Sequence, residues 1–466
     1  MKSKSPLYWH QGLFLQPHHF QQFDQYQQSL LIPLKEQLTP FFWGIIESRI
    51  NKEALKNQVL EVNKADLVFP DGTWVQYPGN SFLQSRSFDQ DWVEADKPFT
   101  AYLGLRKLDP NSANVRVLEN KDGLNDAADR LVTFRETEEL TDLYTSGPRA
   151  SVRKMHYLLR IFWENETGEL NDYDLIPIAQ LVREGDDIML SKEFIPPCLS
   201  VSGSDSMFKT VKSVRDQVAS RCRQLQEYKS PKEMQVSSFD TEYMVYLLAL
   251  RSLNRYAPAL FHLLDTKNIH PWQIYGLFRQ MVGELSSFSE RINALGETVN
   301  DVKLMPAYDH TNLTRCFGDA AALITELLND IIIGPEHIIR LEKDESGFKG
   351  EIPPEALDRR NEFYLVIRSR AGEPELKKML NNIAKICSVE HMPTLISRAL
   401  PGIALEQSKV PPPGLPRRSD SLYFRIDRLD ELWRHIERDQ NIQIYWENPP
   451  GDLYVELVVL KKQSGS

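Results

Sequence analysis

The sequence predicts a multidomain α+β protein, and three observations carry that prediction. Between residues 41 and 200, short apolar and aromatic runs alternate with turn signals, the pattern of an antiparallel β-sandwich or barrel. Beyond Pro196-Pro197 and Ser200-Val201-Ser202-Gly203-Ser204, the apolar spacing changes to that of packed helices. Beyond Gly334-Pro335, strand and helix patterns mix on the scale of a small α+β domain. At 466 residues the chain is too long for a single core, so several domains are expected.

The first forty residues read as an arm followed by a helix. The arm runs Tyr8-Trp9-His10-Gln11-Gly12-Leu13-Phe14-Leu15-Gln16 and meets Pro17-His18-His19-Phe20. Proline fixes its own φ and disfavours a helical residue before it, so Gln16 is predicted extended and a helix is predicted to open at Pro17. Phe20, Phe23, Tyr26, Leu30 and Leu34 then recur at helical spacing among glutamines, and Pro33 is predicted to end or kink that helix. Exposed, an arm of this composition is a liability unless something covers it, which makes it a candidate docking segment. The same composition also suits an arm packed on its own domain.

In the β-rich region, 67–69 and 73–77 flank Pro70-Asp71-Gly72, a turn in which Pro presets φ and Gly supplies a positive one. Met155, Tyr157, Leu159, Ile161 and Trp163 alternate with His156 and Arg160, a strand with one buried face. Further strands are predicted at 99–105, 114–118, 131–135 and 176–182. In the helical region, Met207, Val211, Val214, Val218, Cys222 and Leu225 form one stripe, and Ser230-Pro231-Lys232-Glu233 has the form of a capping box. The segment around Met244, Leu247 and Leu248 is apolar nearly all round and is predicted to be central. Pro271 opens a helix in which Ile274, Phe278, Met281, Leu285 and Phe288 step 4, 3, 4, 3. Asp309 is predicted to cap another, in which Leu313, Phe317, Ala320, Ile324 and Leu327 repeat the steps. Such spacing means near-parallel packing, either within one chain or at a subunit interface as well. In the last third, 363–367, 422–426 and 454–460 read as strands, 376–380 and 429–436 as short helices, and 411–416 as a proline-stiffened loop.

Lys plus Arg total 55 against 65 Asp plus Glu, a formal charge of 55 − 65 = −10, which argues against a nucleic-acid binder and against attachment to anionic lipid. Cys198, Cys222, Cys316 and Cys387 are scattered, form no CxxC pair and suit buried thiols in a reducing compartment. No signal peptide or membrane-length apolar run is read, so the triplets Asn165-Glu166-Thr167 and Asn312-Leu313-Thr314 are taken as chance glycosylation matches. No phosphate loop, dinucleotide fingerprint, nucleophile elbow or zincin motif is present. His10, His18 and His19 lack acidic or Cys partners at ligand spacing, and His262, His270 and Asp309-His310 are explained by turns and caps. The chain is read as not an enzyme, without cofactor or metal.

One resemblance gathers these motifs. Trp9-x-x-Gly12-Leu13-Phe14-Leu15-x-Pro17-x-His19-Phe20-Gln21 resembles the opening of the TssK family, trimeric baseplate subunits of the type VI secretion system. The similarity continues in order through Leu253-Asn254-Arg255-Tyr256-x-Pro258-x-Leu260-x-His262-Leu263-Leu264, through His270-Pro271 with Tyr275, Leu277 and Gly283-Glu284-Leu285, and through Tyr308-x-His310-x-x-Leu313-x-x-Cys316-Phe317. Tyr423-Phe424-Arg425 with Trp433, and the strand 454–459, are similar to the family's head. The resemblance implies an arm and helix over 1–40, a β-sandwich shell domain similar to the shoulder of phage receptor-binding proteins over 41–200, a four-helix-bundle neck over 201–330, and an α+β head over 331–466. It implies a cytoplasmic structural adaptor, a homotrimer, recruited to the inner membrane without inserting into it. The shell side would bind the wedge proteins TssF and TssG, and the head, hinged at Gly334-Pro335, would bind the cytoplasmic parts of TssL and TssM. Wedge contacts are expected from Trp9, Gly12, Leu13, Phe14, Leu15, Pro17, His19 and Phe20. Packing within and between subunits is expected from Ile274, Phe278, Met281, Leu285, Leu313 and Phe317, while the head's contact residues stay unassigned. The competing readings are a carbohydrate-active hydrolase on a β-sandwich, which needs two carboxylates converging in a pocket, and another phage-tail-type receptor-binding subunit without membrane anchoring.

Overall fold

Backbone geometry sets where the first sheet begins. Gly44 has φ +122°, and a Cβ there would lie 2.7 Å from the Pro197 carbonyl oxygen, so only glycine lets strand Gly44–Ile50 approach that segment. The approach is used: Ile45 N–H donates to Pro197 O at 2.8 Å, and Leu199 N–H donates to Ile45 O at 2.9 Å. The structure, a computed structural model, describes residues 4–461 apart from 90–92, 94–96, 146, 186, 227, 229–240, 267, 332–336, 345–346, 359, 370–384, 409–420 and 447–448. The chain divides into two units, Met1–Gln217 with Tyr256–Leu328, and Val218–Arg255 with Asn329–Ser466.

The first unit contains helix α1 (Pro17–Leu38), the short α2 (Lys52–Leu55) and the β-rich region. Strands Val62–Val68 and Trp74–Tyr77 form the predicted hairpin, with Val68 opposite Trp74 and Gly72 at φ +85° in its turn. A larger sheet is built on Phe99–Arg106, which pairs antiparallel with both His156–Trp163 and Tyr173–Glu184. Each strand predicted at 99–105, 114–118, 131–135, 155–163 and 176–182 is present. The purely antiparallel expectation fails at two pairings: Val115–Leu118 lies parallel to Leu131–Phe134, and Ser81–Phe82 lies parallel to His156–Trp163. The first follows from the intervening segment, whose 3-10 turn Lys121–Leu124 carries the chain back to the same end. Arg130, 4% exposed, fastens the hairpin turn to the large sheet, donating to Asp71 Oδ2 and Thr73 Oγ1 at 2.7 Å each and to Arg106 O at 2.6 Å.

The helices follow the apolar spacing and depart from the sequence reading at their ends and at their prolines. In α3 (Asp205–Gln226) the stripe from Met207 to Leu225 is buried. α4 (Thr241–Thr266) buries Leu250, Leu253, Tyr256, Leu260 and Leu264 but leaves Met244, Val245 and Leu248 40–50% exposed, so the segment is not apolar core all round: a single face supplies its core contacts. α4 also runs through Pro258, as α1 runs through Pro33 to Leu38. Each loses one backbone donor without ending, so of the two outcomes expected at Pro33, an end or a kink, the end does not occur. In α5 (Pro271–Leu285), Pro occupies the first turn and His270 Nδ1 accepts from Trp272 N–H at 3.1 Å, an N-cap the sequence did not name. α6 (Leu313–Asp330) is capped by Asn312 Oδ1, which accepts from Arg315 N–H at 3.2 Å. Asp309, predicted as that cap, instead closes a local turn by accepting from Thr311 N–H at 2.9 Å and from the Thr311 hydroxyl at 2.6 Å.

The second unit contains a sheet in which Asn361–Arg368 pairs antiparallel with Ser421–Ile426 on one side and Tyr454–Lys461 on the other, the three strands predicted there. A second sheet centres on Gly347–Glu351 and Asn441–Tyr445. Helices α7 (Met392–Ser397) and α8 (Trp433–Asp439) accompany them. Phe363, Leu365, Ile367, Phe424, Trp433, Ile444 and Leu457 share one core. The capping box at 230–233, the hinge at Gly334-Pro335, the helix at 376–380 and the loop at 411–416 lie outside the described residues.

Candidate docking surface

The arm is held by few groups, and those groups fix its path. Lys4 N–H donates to Ser29 Oγ at 3.3 Å, which lays the start of the chain back along α1. The Trp9 ring meets Phe23 edge-on, centroids 6.3 Å apart. The chain then turns, with Leu13 N–H donating to His10 O at 3.3 Å and Gly12 at φ +83°, where no atom lies within 4 Å of the Cβ position. The glycine is required by its φ and not by lack of space. Gln16 is extended, at φ −126° and ψ 158°, and Pro17 opens α1, both as predicted. Gln16 N–H donates to His19 Nδ1 at 3.0 Å, so His19 closes the helix entrance and one of its ring nitrogens is already taken.

Between these fixed points the apolar side chains face outward. Phe14 is 79% exposed, Phe20 54%, Leu15 52% and Trp9 49%, and Leu13 is half-buried. The structure thus brings Trp9, Gly12, Leu13, Phe14, Leu15, Pro17, His19 and Phe20 into one continuous segment, whose large side chains are not spent on the chain's own core. Free energy is gained if another surface covers them.

The base of α1 is fixed by histidines whose role the sequence did not disclose. His270 Nε2 lies 3.2 Å from Phe41 O and His310 Nε2 2.8 Å from Trp43 O. A carbonyl only accepts, so both Nε2 atoms carry the proton. His270 Nδ1 is then the acceptor for Trp272 N–H, and His310 Nδ1 accepts from the Tyr308 hydroxyl at 2.8 Å. The two imidazoles stack with centroids 5.4 Å apart, 14° from parallel. Burial depresses both basicities. His310 is lowered to about 4, with the His270 ring opposing its charge as well and the Trp43 carbonyl only partly offsetting this; His270 is lowered too. Both rings are therefore neutral at pH 7 and clamp the turn between α1 and the first strand. Lys35 Nζ adds a bond to Gly72 O at 2.8 Å.

Ile274, Phe278, Met281, Leu285, Leu313 and Phe317 are each 0% exposed within one chain. Phe317 packs edge-on to Tyr275 and Phe278, at 5.5 and 5.8 Å. Their area is spent on each other, so contact with a second subunit would have to use different side chains. His262 is exposed, and the His10 ring lies with its Nδ1 3.2 Å from Gln11 O and its centroid 5.6 Å from that of Tyr8. Among the described residues, no group of three or more His, Cys, Asp or Glu side chains is placed to hold a metal, and no helix is long and apolar enough to cross a membrane. The four cysteines are free thiols and buried, and burial pushes Cys198 up to about 12, which makes it a poor nucleophile.

The sequence profile of a family described as "Bacterial Type VI secretion, VC_A0110, EvfL, ImpJ, VasE" matches residues 19–460. The chain belongs to that family. The resemblance drawn from its motifs therefore holds at family level. It is 24% identical over 432 residues to the "Type VI secretion system baseplate component TssK1" of Pseudomonas aeruginosa, covering 92% of each chain. A crystal structure of TssK superposes with a TM-score of 0.60 at 22% identity, covering 98% of this chain and all of that one. A chain of the type VI secretion baseplate complex gives a TM-score of 0.60 at 22% identity over 99% of this chain and all of that one. A chain of a TssK–TssF–TssG subcomplex gives 0.58 at 21% over 70% of this chain and all of that one. These likenesses share the mixed α+β multidomain fold with its many sheets.

Proposed function

We propose that this chain is a non-enzymatic, cytoplasmic adaptor of the type VI secretion baseplate. Its N-terminal side binds TssF and TssG, and its C-terminal region binds the cytoplasmic parts of TssL and TssM at the inner membrane. The observation that carries the reading is the arm, a segment that exposes Trp9, Phe14, Leu15 and Phe20 in a member of a secretion family with a relative named as a baseplate component. The protein works as a homotrimer. Its working divisions are the arm and helix at 1–40, a β-sandwich shell at 41–200, a four-helix-bundle neck at 201–330 and a head at 331–466. Ile338, 56% exposed, and Leu429, 93% exposed, are starting points for the head's contacts.

Burying a Phe side chain is worth about 1.5–3 kcal/mol, or roughly one to two decades of affinity. Phe14→Ala in the full-length protein is therefore expected to reduce co-purification with TssF and TssG by about that factor, with an unchanged melting temperature. Recovery of the complex at the wild-type yield would refute the arm's role. A preparation that binds neither TssF–TssG nor TssL would refute the adaptor reading itself.

A further inference from the structure

Helix α1 and the hairpin turn bound a cavity of about 570 Å³. One wall is a face of α1, where Gln28, Leu31, Ile32 and Lys35 fall at i, i+3, i+4 and i+7. Much of the remainder is aromatic, from Phe41, Phe42, Trp74 and Tyr157. Phe41, Phe42 and Trp74 are 42%, 41% and 54% exposed, so a ligand can reach their rings. The chain itself holds these rings in place. Trp74 Nε1 donates to Asp66 Oδ1 at 2.6 Å, Phe41 stacks on His310 with centroids 5.4 Å apart, and the Arg130 guanidinium lies 5.8 Å from the Tyr157 centroid. A ligand therefore meets aromatic faces that need little further ordering.

Three features select the occupant. The two charged side chains in the lining are already engaged, Lys35 Nζ with Gly72 O at 2.8 Å and Asp71 with Arg130 at 2.7 Å, which favours a neutral ligand. Strand addition is blocked, although Trp74–Tyr77 is an edge strand. Gln76 N–H donates to Asn80 Oδ1 at 2.7 Å, Asn80 Nδ2 donates to Trp74 O at 3.1 Å, and the Ser81 hydroxyl donates to Gln76 O at 2.7 Å. The Gln28 amide and the Thr39 hydroxyl, in contrast, have no partner among the described residues and can donate to a carbonyl. A polyproline II segment meets all three conditions: it is neutral, it packs its rings on aromatic faces, and its carbonyls are free of internal hydrogen bonds.

We propose that this cavity binds a neutral, proline-rich segment of a partner protein in the polyproline II conformation, with prolines against Trp74 and Phe42 and a carbonyl on the Gln28 amide. The inference goes beyond the adaptor reading and does not depend on it.

The test uses the full-length protein and a capped decaproline peptide as the probe. Titration calorimetry is expected to show one saturable site per chain, weakened about tenfold by Trp74→Ala and about threefold by Gln28→Ala, with unchanged melting temperatures. A capped Gly/Ser peptide of equal length is expected not to bind. The decaproline peptide carrying a benzophenone group should cross-link to residues 28–43 and 70–74 of the wild type, a readout that decides the matter should a variant fail to fold. Absence of saturable decaproline binding, undiminished binding by folded Trp74→Ala protein, or adducts confined to other segments would each overturn the inference. An amphipathic helical peptide that binds more tightly than decaproline overturns it in favour of a helix in the groove. Decaproline binding that lowers the particle mass in light scattering overturns it in favour of a second copy covering the cavity.

Discussion

Helices α1 and α5 carry the same kind of side chain at the same spacing, and their apolar faces end in opposite environments. In α5, Ile274, Phe278, Met281 and Leu285 step 4, 3, 4 and all reach 0% exposure, because α6 brings Phe317 against them and Tyr275 joins the ring contacts. In α1, Phe20, Phe23 and Leu30 step 3 and 7 and stay open. Among the described residues, the chain holds α1 through the Lys4–Ser29 bond, the Trp9 ring and the Lys35–Gly72 bond, and Gln28, Leu31 and Ile32 line a cavity with Pro70 and Trp74. A period in a sequence therefore says that a helix has an apolar face. It does not say whether the chain itself provides the cover. Stability and binding should separate along that line.

The largest expected effect is on the buried side. Phe278→Ala removes a side chain with no exposed surface and leaves a cavity, which costs about 3–5 kcal/mol and is a large part of the stability of a protein of ordinary marginality. Phe14→Ala should change stability by less than about 0.5 kcal/mol, since the side chain is 79% exposed. Urea titration of the two variants side by side measures both. Equal losses would mean that the arm is part of the core and that the contrast between the two regions is false.

The next effect tests how α1 is rooted. His310 is neutral and buried, with its basicity lowered to about 4 against an ordinary value near 6.5. A histidine with a depressed folded-state value binds fewer protons folded than unfolded. Its contribution is therefore present above pH 6.5 and lost as pH falls toward 4, by about 3 kcal/mol in all. The mechanism is specific: a proton on His310 Nδ1 displaces the bond from the Tyr308 hydroxyl, and one on His270 Nδ1 meets the Trp272 N–H. Melting temperatures from pH 7 to pH 4.5 should fall steeply for the wild type and less steeply for His310→Gln, whose amide still donates to the Trp43 carbonyl. Parallel slopes would move the acid sensitivity to other groups.

These cases also mark what the sequence disclosed. The hairpin at Pro70-Asp71-Gly72, the extended Gln16 and the helix opening at Pro17 were legible because each is decided within four residues. The apolar stripes of α3, α5 and α6 were legible because repetition averages over local exceptions. The histidine clamp was not, because His270 and His310 meet carbonyls 229 and 267 residues away, and nothing near them in the chain encodes that meeting. The parallel pairings were missed for a related reason, as their sense depends on the route of the connection. The end allowed for at Pro33 did not occur, because a helix with other support tolerates the loss of one bond. The arm's residues were found as a segment, and their exposure became evident only when the rest of the chain proved to leave them uncovered.

The smallest effect is at Gly12, and it isolates the path of the arm from its grip. The residue sits at φ +83° with open space around the Cβ position, so Gly12→Ala meets no clash and bears only the backbone cost of a left-handed conformation, about 1 kcal/mol. That cost falls on the turn where Leu13 bonds back to His10, and it should redirect Phe14 and Leu15 without touching the folded body. The melting temperature should stay at the wild-type value, while capture of TssF and TssG weakens about fivefold. Asparagine tolerates this region of φ far better than alanine, so Gly12→Asn should restore most of the binding. If alanine binds as well as glycine, the turn is not needed for docking. If asparagine is as poor as alanine, the partner itself requires a bare backbone at this position, and the contact extends from the exposed rings onto the turn.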